Sequence, residues 1–324
     1  MFFSRIYSVR RGAKVLSLPS LNLIPSRRNP ALKVVGGPSS QELAYKIGRE
    51  LNCPLISVKT KRFPDGEFYF KFEEKVSGED LLIVQSLYPP QDTRIIELFL
   101  MLHTARDLKA KSIKAFIPYL AYSRQNERYL EGEALSSDML AELLQQLGAN
   151  ELYTVDVHNR EVLEMYKIPA HNLTASGELA KYFATKNLSD PLVVSPDDEE
   201  AAIERAKNAA KILGANYDFF KKSRDRYTGD ITTYSKKVDA KERDIVIIDD
   251  IISTGKTAAN VVQILKKQGA KRVFIGVAHA LLLGDAVETL NAAGAEEIVG
   301  TDCVKNSYAK VSVASILTKA LKKS

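Results

Sequence analysis

One stretch of the chain, Ile245-Val246-Ile247-Ile248-Asp249-Asp250-Ile251-Ile252-Ser253-Thr254-Gly255-Lys256-Thr257, carries two carboxylates, three hydroxyls, a glycine and a lysine in close succession. Four consecutive β-branched residues predict a strand over 244–248 that is buried on both faces. The spacing predicts a loop over 249–257 and a helix over 258–268. Backbone N–H groups at the start of a helix have no partner and lie at the positive end of its dipole, so a phosphate dianion fits there. Gly255 permits close approach, and Ser253, Thr254 and Thr257 add hydroxyl donors beside Lys256. Asp249 and Asp250 would repel the phosphate; they suit the hydroxyls of a ribose or a bound cation. The loop is therefore expected to hold both ends of a phosphorylated pentose.

Gly255-Lys256-Thr257 also looks like the end of a nucleotide-binding Walker loop, but that motif needs a glycine at position 250, which is Asp250 here. Three further motifs can do chemistry. Lys61-Arg62-Phe63-Pro64-Asp65-Gly66-Glu67 combines an aromatic ring with two carboxylates on a tight turn, a device able to hold an adenine and its amino group. Arg124-Gln125, after the run Pro118-Tyr119-Leu120-Ala121-Tyr122-Ser123, offers a forked donor suited to a triphosphate. Asp156-Val157-His158 closes an apolar run and can supply a metal or phosphate contact.

The elements that must position these residues alternate between short apolar runs and longer helical segments, the pattern of parallel α/β layers. Strands are expected at 32–35, 81–85, 113–118, 152–155, 244–248 and 272–278, with Ser39 capping a helix to residue 51 and another helix over 93–108. Both halves run strand, polar loop, helix, strand, which predicts two related domains with the sugar-phosphate loop elaborated in the second. The boundaries expected are 31–172 and 173–324, with the last helix packing back on the first domain.

The formal charge of +6 is not spread over the protein. Arg5, Arg10, Arg11, Lys14, Arg27, Arg28 and Lys33 precede the first acid, Glu42, and the rest is close to neutral. No broad nucleic-acid surface is implied, and no apolar run is long enough to cross a bilayer. Cys53 and Cys303 are far apart, which argues against a disulfide framework or zinc site and for a reducing compartment. Residues 1–30, Arg- and Ser-rich without an acid, read as a disordered extension or an organellar transit segment. The expected location is the cytoplasm, or an organellar matrix if that segment is a transit peptide.

The Asp-Asp loop resembles the signature of type I phosphoribosyltransferase-like proteins. With the FPDGE turn, Arg124-Gln125 and Asp156-Val157-His158, the chain from about Leu32 onward resembles the ribose-phosphate pyrophosphokinases, most of all archaeal members. The resemblance implies an α/β fold of two related type I phosphoribosyltransferase-like domains with parallel sheets flanked by helices. It implies transfer of the diphosphoryl group of ATP to the 1-hydroxyl of ribose 5-phosphate, with Mg²⁺ and a homo-oligomer. It assigns Phe63, Asp65, Gly66, Glu67, Arg124 and Gln125 to ATP, and His158 and Asp197 to the metal. Catalysis falls to Lys222 and Arg224. Ribose 5-phosphate falls to Arg224, Asp249, Asp250, Ser253, Thr254, Gly255, Lys256 and Thr257. Two other readings stay open on the sequence: a phosphoribosyltransferase that consumes phosphoribosyl diphosphate, and a non-catalytic regulatory homologue.

The chain departs from the family pattern in four ways. Lys256 stands where a second glycine is usual. Asn159-Arg160-Glu161, running on to His171, replaces a glutamine-rich segment ending in aspartate. Asp198-Glu199-Glu200 replaces a short glycine turn after Asp197, and residues 1–30 have no counterpart. The acidic triplet is expected to form the first turn of the helix that follows, where the dipole favours carboxylates.

Overall fold

The computed structural model describes residues 32–224, 231–234 and 237–322; the extension expected at 1–30 lies outside the described residues. The first half runs β1 (Leu32–Gly36), α1 (Gln41–Leu51), β2 (Leu55–Ile56), β3 (Val58–Arg62), β4 (Phe68–Phe72), β5 (Asp80–Val84), α2 (Gln91–Asp107), β6 (Ser112–Ile117), α3 (Ser136–Gln146), β7 (Glu151–Val155), β8 (Ala170–Leu173) and α4 (Ser176–Ala184). The second runs β9 (Leu192–Ser195), α5 (Glu200–Leu213), β10 (Asn216–Phe219), β11 (Lys221–Arg224), β12 (Ile231–Tyr234), β13 (Asp244–Ile252), α6 (Lys256–Lys267), β14 (Arg272–Ala280), α7 (Ala286–Ala292), β15 (Glu297–Thr301), β16 (Ala309–Val311) and α8 (Ala314–Leu321).

Two six-stranded sheets result, ordered β2-β1-β5-β6-β7-β8 and β10-β9-β13-β14-β15-β16. Every pairing within them is parallel. The order is the same in both halves, and each half inserts an antiparallel hairpin at the same point, β3–β4 in the first and β11–β12 in the second. The repeat expected from the sequence is thus complete to the level of a shared insertion.

Alternation along the strands decides which residues face which helices. Val35, Leu81 and Ile83 pack with Leu98, Met101 and Leu102 of α2 on the outer face of the first sheet. Ile245 and Ile247 pack with Val261, Val262 and Leu265 of α6 on the outer face of the second. Val34, Leu82 and Val84 share one core with Val246, Ile248, Leu43 and Ile47 of α1, Leu179 of α4, Ala206 of α5 and Leu317 of α8. Helices α1, α4, α5 and α8 therefore fill the layer between the sheets. Thr318 of α8 donates to Glu50 of α1 at 2.8 Å, and Lys46 pairs with Asp302 at 2.8 Å.

Three local expectations are corrected. β13 does not stop at Ile248; it runs to Ile252 because β14 is equally long and pairs Asp249 with Val277, Ile251 with His279 and Ile252 with Ala280. Asp249 and Asp250 therefore sit on a strand rather than in a loop. Ser40, not Ser39, precedes α1, and the Ser39 hydroxyl is turned to Gln85 Oε1 (2.8 Å) and the Ser86 carbonyl (2.7 Å). Helix α5 starts at Glu200, so Asp198 and Glu199 lie before its first turn.

In an open parallel sheet the ligand crevice forms beyond the strand ends where the strand order reverses. In the second sheet that point lies between β9 and β13, and it is open. In the first sheet it lies between β1 and β5, and side chains fill it. Gln85 Oε1 accepts from Ser39 N and Oγ, and Ser40 Oγ accepts from Ser86 N at 2.9 Å. All four residues are buried, and a β-carbon at Gly37 would collide with the Gln85 side chain.

Candidate active site

The open crevice is a cavity of about 560 Å³ lined by Pro196, Asp197, Asp198 and Glu199 after β9 and by residues 249–258. Gly255 takes φ 76°, a conformation glycine adopts at no steric cost, and this turns the chain from β13 into α6. Lys256 is the first residue of that helix, so the cation and the unpaired N–H groups share one wall of the cavity. Ser253, Thr254 and Thr257 lie on the same wall. Residues 253–257 thus form one continuous wall of the cavity at the start of α6.

The carboxylates are not equivalent. Asp250 is buried and sets Oδ2 2.9 Å from His158 Nδ1, Oδ1 2.9 Å from Ile251 N, and Oδ1 3.4 Å from the guanidinium of Arg205. Burial alone would raise its pKa, but the His158 hydrogen bond and the Arg205 charge hold it well below the usual carboxylate range. The same hydrogen bond raises the His158 imidazole above its ordinary value. Asp249 accepts from Asp250 N at 2.8 Å. Burial and the adjacent Asp250 charge push its carboxyl well up. Both oxygens of Asp250 thus meet protein donors, and Asp249 is the carboxylate of the pair with fewer of them.

A second cavity of about 720 Å³ adjoins the first and shares Arg124, His158, Asp250, Ile251 and Ser253 with it. Its other walls include Tyr119, Tyr122 and Gln125 from the segment after β6, and His279 from β14. Arg124 thus faces both cavities, and Gln125 only the second. Both open at the C-terminal ends of strands of both sheets, where α/β proteins bind ligands.

The FPDGE turn does form a tight hairpin tip. Phe63 N donates to the Glu67 carbonyl at 2.8 Å, Gly66 takes φ 100°, and Asp65 Oδ1 accepts from Glu67 N at 3.1 Å. It is braced by Arg62, which bonds the Gly66 carbonyl and the buried Glu97 of α2. Phe63, Asp65, Gly66 and Glu67 are exposed and line neither cavity, so they do not join Arg124 and Gln125 within the described residues.

His158 and Asp197 both line the first cavity, with Asp197 Oδ1 accepting from Glu199 N at 3.2 Å. Among the described residues no group of three or more His, Cys, Asp or Glu is arranged to hold a metal ion. Asp198 and Glu199 line the cavity, contrary to the expected first helical turn; only Glu200 is helical. The side chains of Lys222 and Arg224 lie outside the described residues; their backbone forms β11. Sequence reasoning missed Arg205 and His279, both buried. Arg205 alone left a signal: it falls on the same helical face as Ala202, Ala206 and Ala209, where an arginine is out of place.

The comparisons with known proteins follow the same two-part layout. Residues 32–148 match the model of the N-terminal domain of ribose phosphate pyrophosphokinase, and residues 162–304 match the phosphoribosyl transferase domain. The chain is similar to the ribose-phosphate pyrophosphokinase of Sulfolobus acidocaldarius, with 36% identity over 286 residues, 87% of this chain and 97% of that one. That of Methanothermobacter thermautotrophicus is 36% identical over 289 residues, covering 89% and 99%. The crystal structure of phosphoribosylpyrophosphate synthetase from Mycobacterium smegmatis superposes with a TM-score of 0.77 at 27% identity, over 90% of this chain and 98% of that one. With both sheets, the inserted hairpins and nearly the whole length of these relatives accounted for, the chain belongs to the ribose-phosphate pyrophosphokinase family.

Proposed function

We propose that this chain transfers the β,γ-diphosphoryl group of ATP to the 1-hydroxyl of ribose 5-phosphate, giving 5-phosphoribosyl 1-diphosphate and AMP for nucleotide biosynthesis. The observation that carries this reading is the pair of adjoining cavities that meet at Arg124 and His158, one walled by the sugar-phosphate loop and the other by Gln125. A two-substrate reaction needs two such sites with a common boundary.

The bond from the sugar O1 to the β-phosphorus forms as the bridge from the α-phosphate breaks, and the hydroxyl proton is released. Little covalent help is needed; alignment and neutralisation of charge are. Ser253, Thr254, Gly255, Lys256 and Thr257 hold the 5-phosphate on the start of α6, and Asp249 takes a ring hydroxyl. Arg124 spans the boundary and aligns the triphosphate, with Gln125 on the nucleotide side. Lys222 and Arg224 offset the charge on the transferring group, a role the family resemblance assigns them.

Five carboxylates line the first cavity against Arg124, His158 and Lys256, so a polyphosphate entering alone would be repelled. Two side chains, His158 and Asp197, fit an Mg²⁺ ion that keeps waters and substrate oxygens in its shell, as Mg²⁺ prefers. Such an ion would neutralise phosphate charge where those two residues face it. The hairpin tip lies away from both cavities of its own chain, so contact of Phe63, Asp65 and Glu67 with ATP requires movement or a second copy. A homo-oligomer supplies the second. A cytoplasmic location is proposed on the free thiols of Cys53 and Cys303.

The test is release of AMP from ATP that depends on ribose 5-phosphate, with the diphosphoryl ester identified by phosphorus NMR. A phosphoribosyltransferase would release none without a base, and a regulatory homologue none at all. The transferase reading also leaves Gln125 and the hairpin without a part.

A further inference from the structure

Arg205 is 6% exposed and lies on the alanine face of α5, in the layer between the two sheets. Burying a guanidinium is strongly unfavourable unless charge and hydrogen bonds compensate it. The compensation comes from acids on other elements. Its Nη2 lies 3.4 Å from Asp250 Oδ1 at the end of β13, and Asp156, Asp249 and Asp197 lie within electrostatic reach. Its Nε is buried without a hydrogen-bond partner. The guanidinium is therefore held by charge more than by a full set of hydrogen bonds.

The relationship continues through Asp250. Its other oxygen lies 2.9 Å from His158 Nδ1, so three side chains from α5, β13 and the segment after β7 stand in one line. A neutral histidine that donates Nδ1–H to a carboxylate keeps the lone pair of Nε2 bare. His158 lines both cavities and is exposed, so the ring nitrogen opposite Asp250 is the one available to a ligand.

We propose that Arg205 is a positioning residue: it pins the Asp250 carboxylate against His158 Nδ1 and so presents His158 with Nε2 bare at the boundary of the two cavities. Its kinetic consequence rests on the function proposed above, but the tautomer of His158 does not. Without the guanidinium, the Asp250 carboxylate loses its contact from the α5 side and can turn away from His158 Nδ1. The hydrogen bond then ceases to favour one imidazole tautomer.

Nitrogen NMR of the full chain, at a pH where the imidazoles are neutral, reads this directly. The chain has four histidines, and His158 is assigned by the signal lost in His158→Asn. Wild type is expected to show His158 protonated at Nδ1. Arg205→Met is expected to populate the Nε2–H form substantially and to lower kcat about tenfold or more. The Kd for ribose 5-phosphate should stay within about threefold. Arg205→Lys is expected to keep the Nδ1–H form and recover most of kcat. If Arg205→Met does not fold, Arg205→Gln, which removes charge but keeps length and polarity, is read instead. An unchanged tautomer in the charge-free variant overturns the proposal, even if kcat falls, and so does an unchanged tautomer in Asp250→Ala. Failure of the wild type to form AMP would defeat the functional reading and leave the tautomer result standing.

Discussion

His279, on β14 of the second sheet, donates Nε2–H across 2.9 Å to the carbonyl of Val155, the last residue of β7 in the first sheet. This fixes the proton on Nε2 and leaves Nδ1 bare in the core without a partner. Burial pushes the imidazole down from 6.5 to about 4. The unfolded chain binds a proton that the native state refuses between those values. Stability should therefore be fully present above about pH 6.5 and fall by roughly 3 kcal/mol as the pH drops to about 4. Urea unfolding across that range checks it, because His279→Gln should lose this part of the slope. Parallel wild-type and variant profiles would refute the assignment.

Lys222→Ala should lower kcat by about 10²- to 10³-fold while leaving both KM values within a few-fold, since its charge is needed chiefly as the diphosphoryl group moves. Steady-state kinetics decide the matter. A near-normal kcat would show that Lys222 is a solvent-facing lysine and that the motif match fails there.

Asp249 lines only the cavity of the sugar-phosphate loop. Asp249→Ala is expected to weaken ribose 5-phosphate about tenfold, the loss of one hydrogen bond to a carboxylate, with ATP changed far less. Calorimetric titration of each ligand separates the two. Equal losses, in a protein that melts normally, would remove the sugar from this carboxylate.

How much of this was open to sequence reading depends on the range of the contacts. The β-branched run of β13 and the glycine turn into α6 are local, and both were legible in the sequence. The extension of β13 to Ile252 was not, because it depends on how far β14 continues beside it. Ser39 was misread for the same kind of reason: its hydroxyl serves Gln85, which is remote in sequence. His279 and Arg205 act across the layer between the sheets, on Val155 and Asp250, and no period or spacing announces such a pairing. The hairpin tip was legible as a turn, but its absence from both cavities was not.

Asp198 and Glu199 face the cavity ahead of α5, where they oppose incoming phosphate. Replacing them by Ser and Ala should lower KM for ribose 5-phosphate about threefold at low salt, a gain that disappears at high ionic strength. Kinetics at two salt concentrations measure this, alongside an Mg²⁺ titration. A rightward shift of the Mg²⁺ midpoint by about tenfold would instead make one of the pair a metal ligand.

The crevice packed with Gln85, Ser39, Ser40 and Ser86 gives a repeated fold a direction. Gln85-Ser86 follow β5 much as the acid pair stands on β13, but their polar atoms are spent on Ser39, Ser40, Glu97 of α2 and the carbonyl of Cys303 in the second half. Reopening that crevice by single steps would strand at least one buried donor or acceptor each time, so every intermediate sequence would be less stable than either end point. The two halves are therefore unequal: one keeps its switch-point crevice open, and the other lines the cavities from the segments after β6 and β7. Saturation should come at one sugar phosphate per chain.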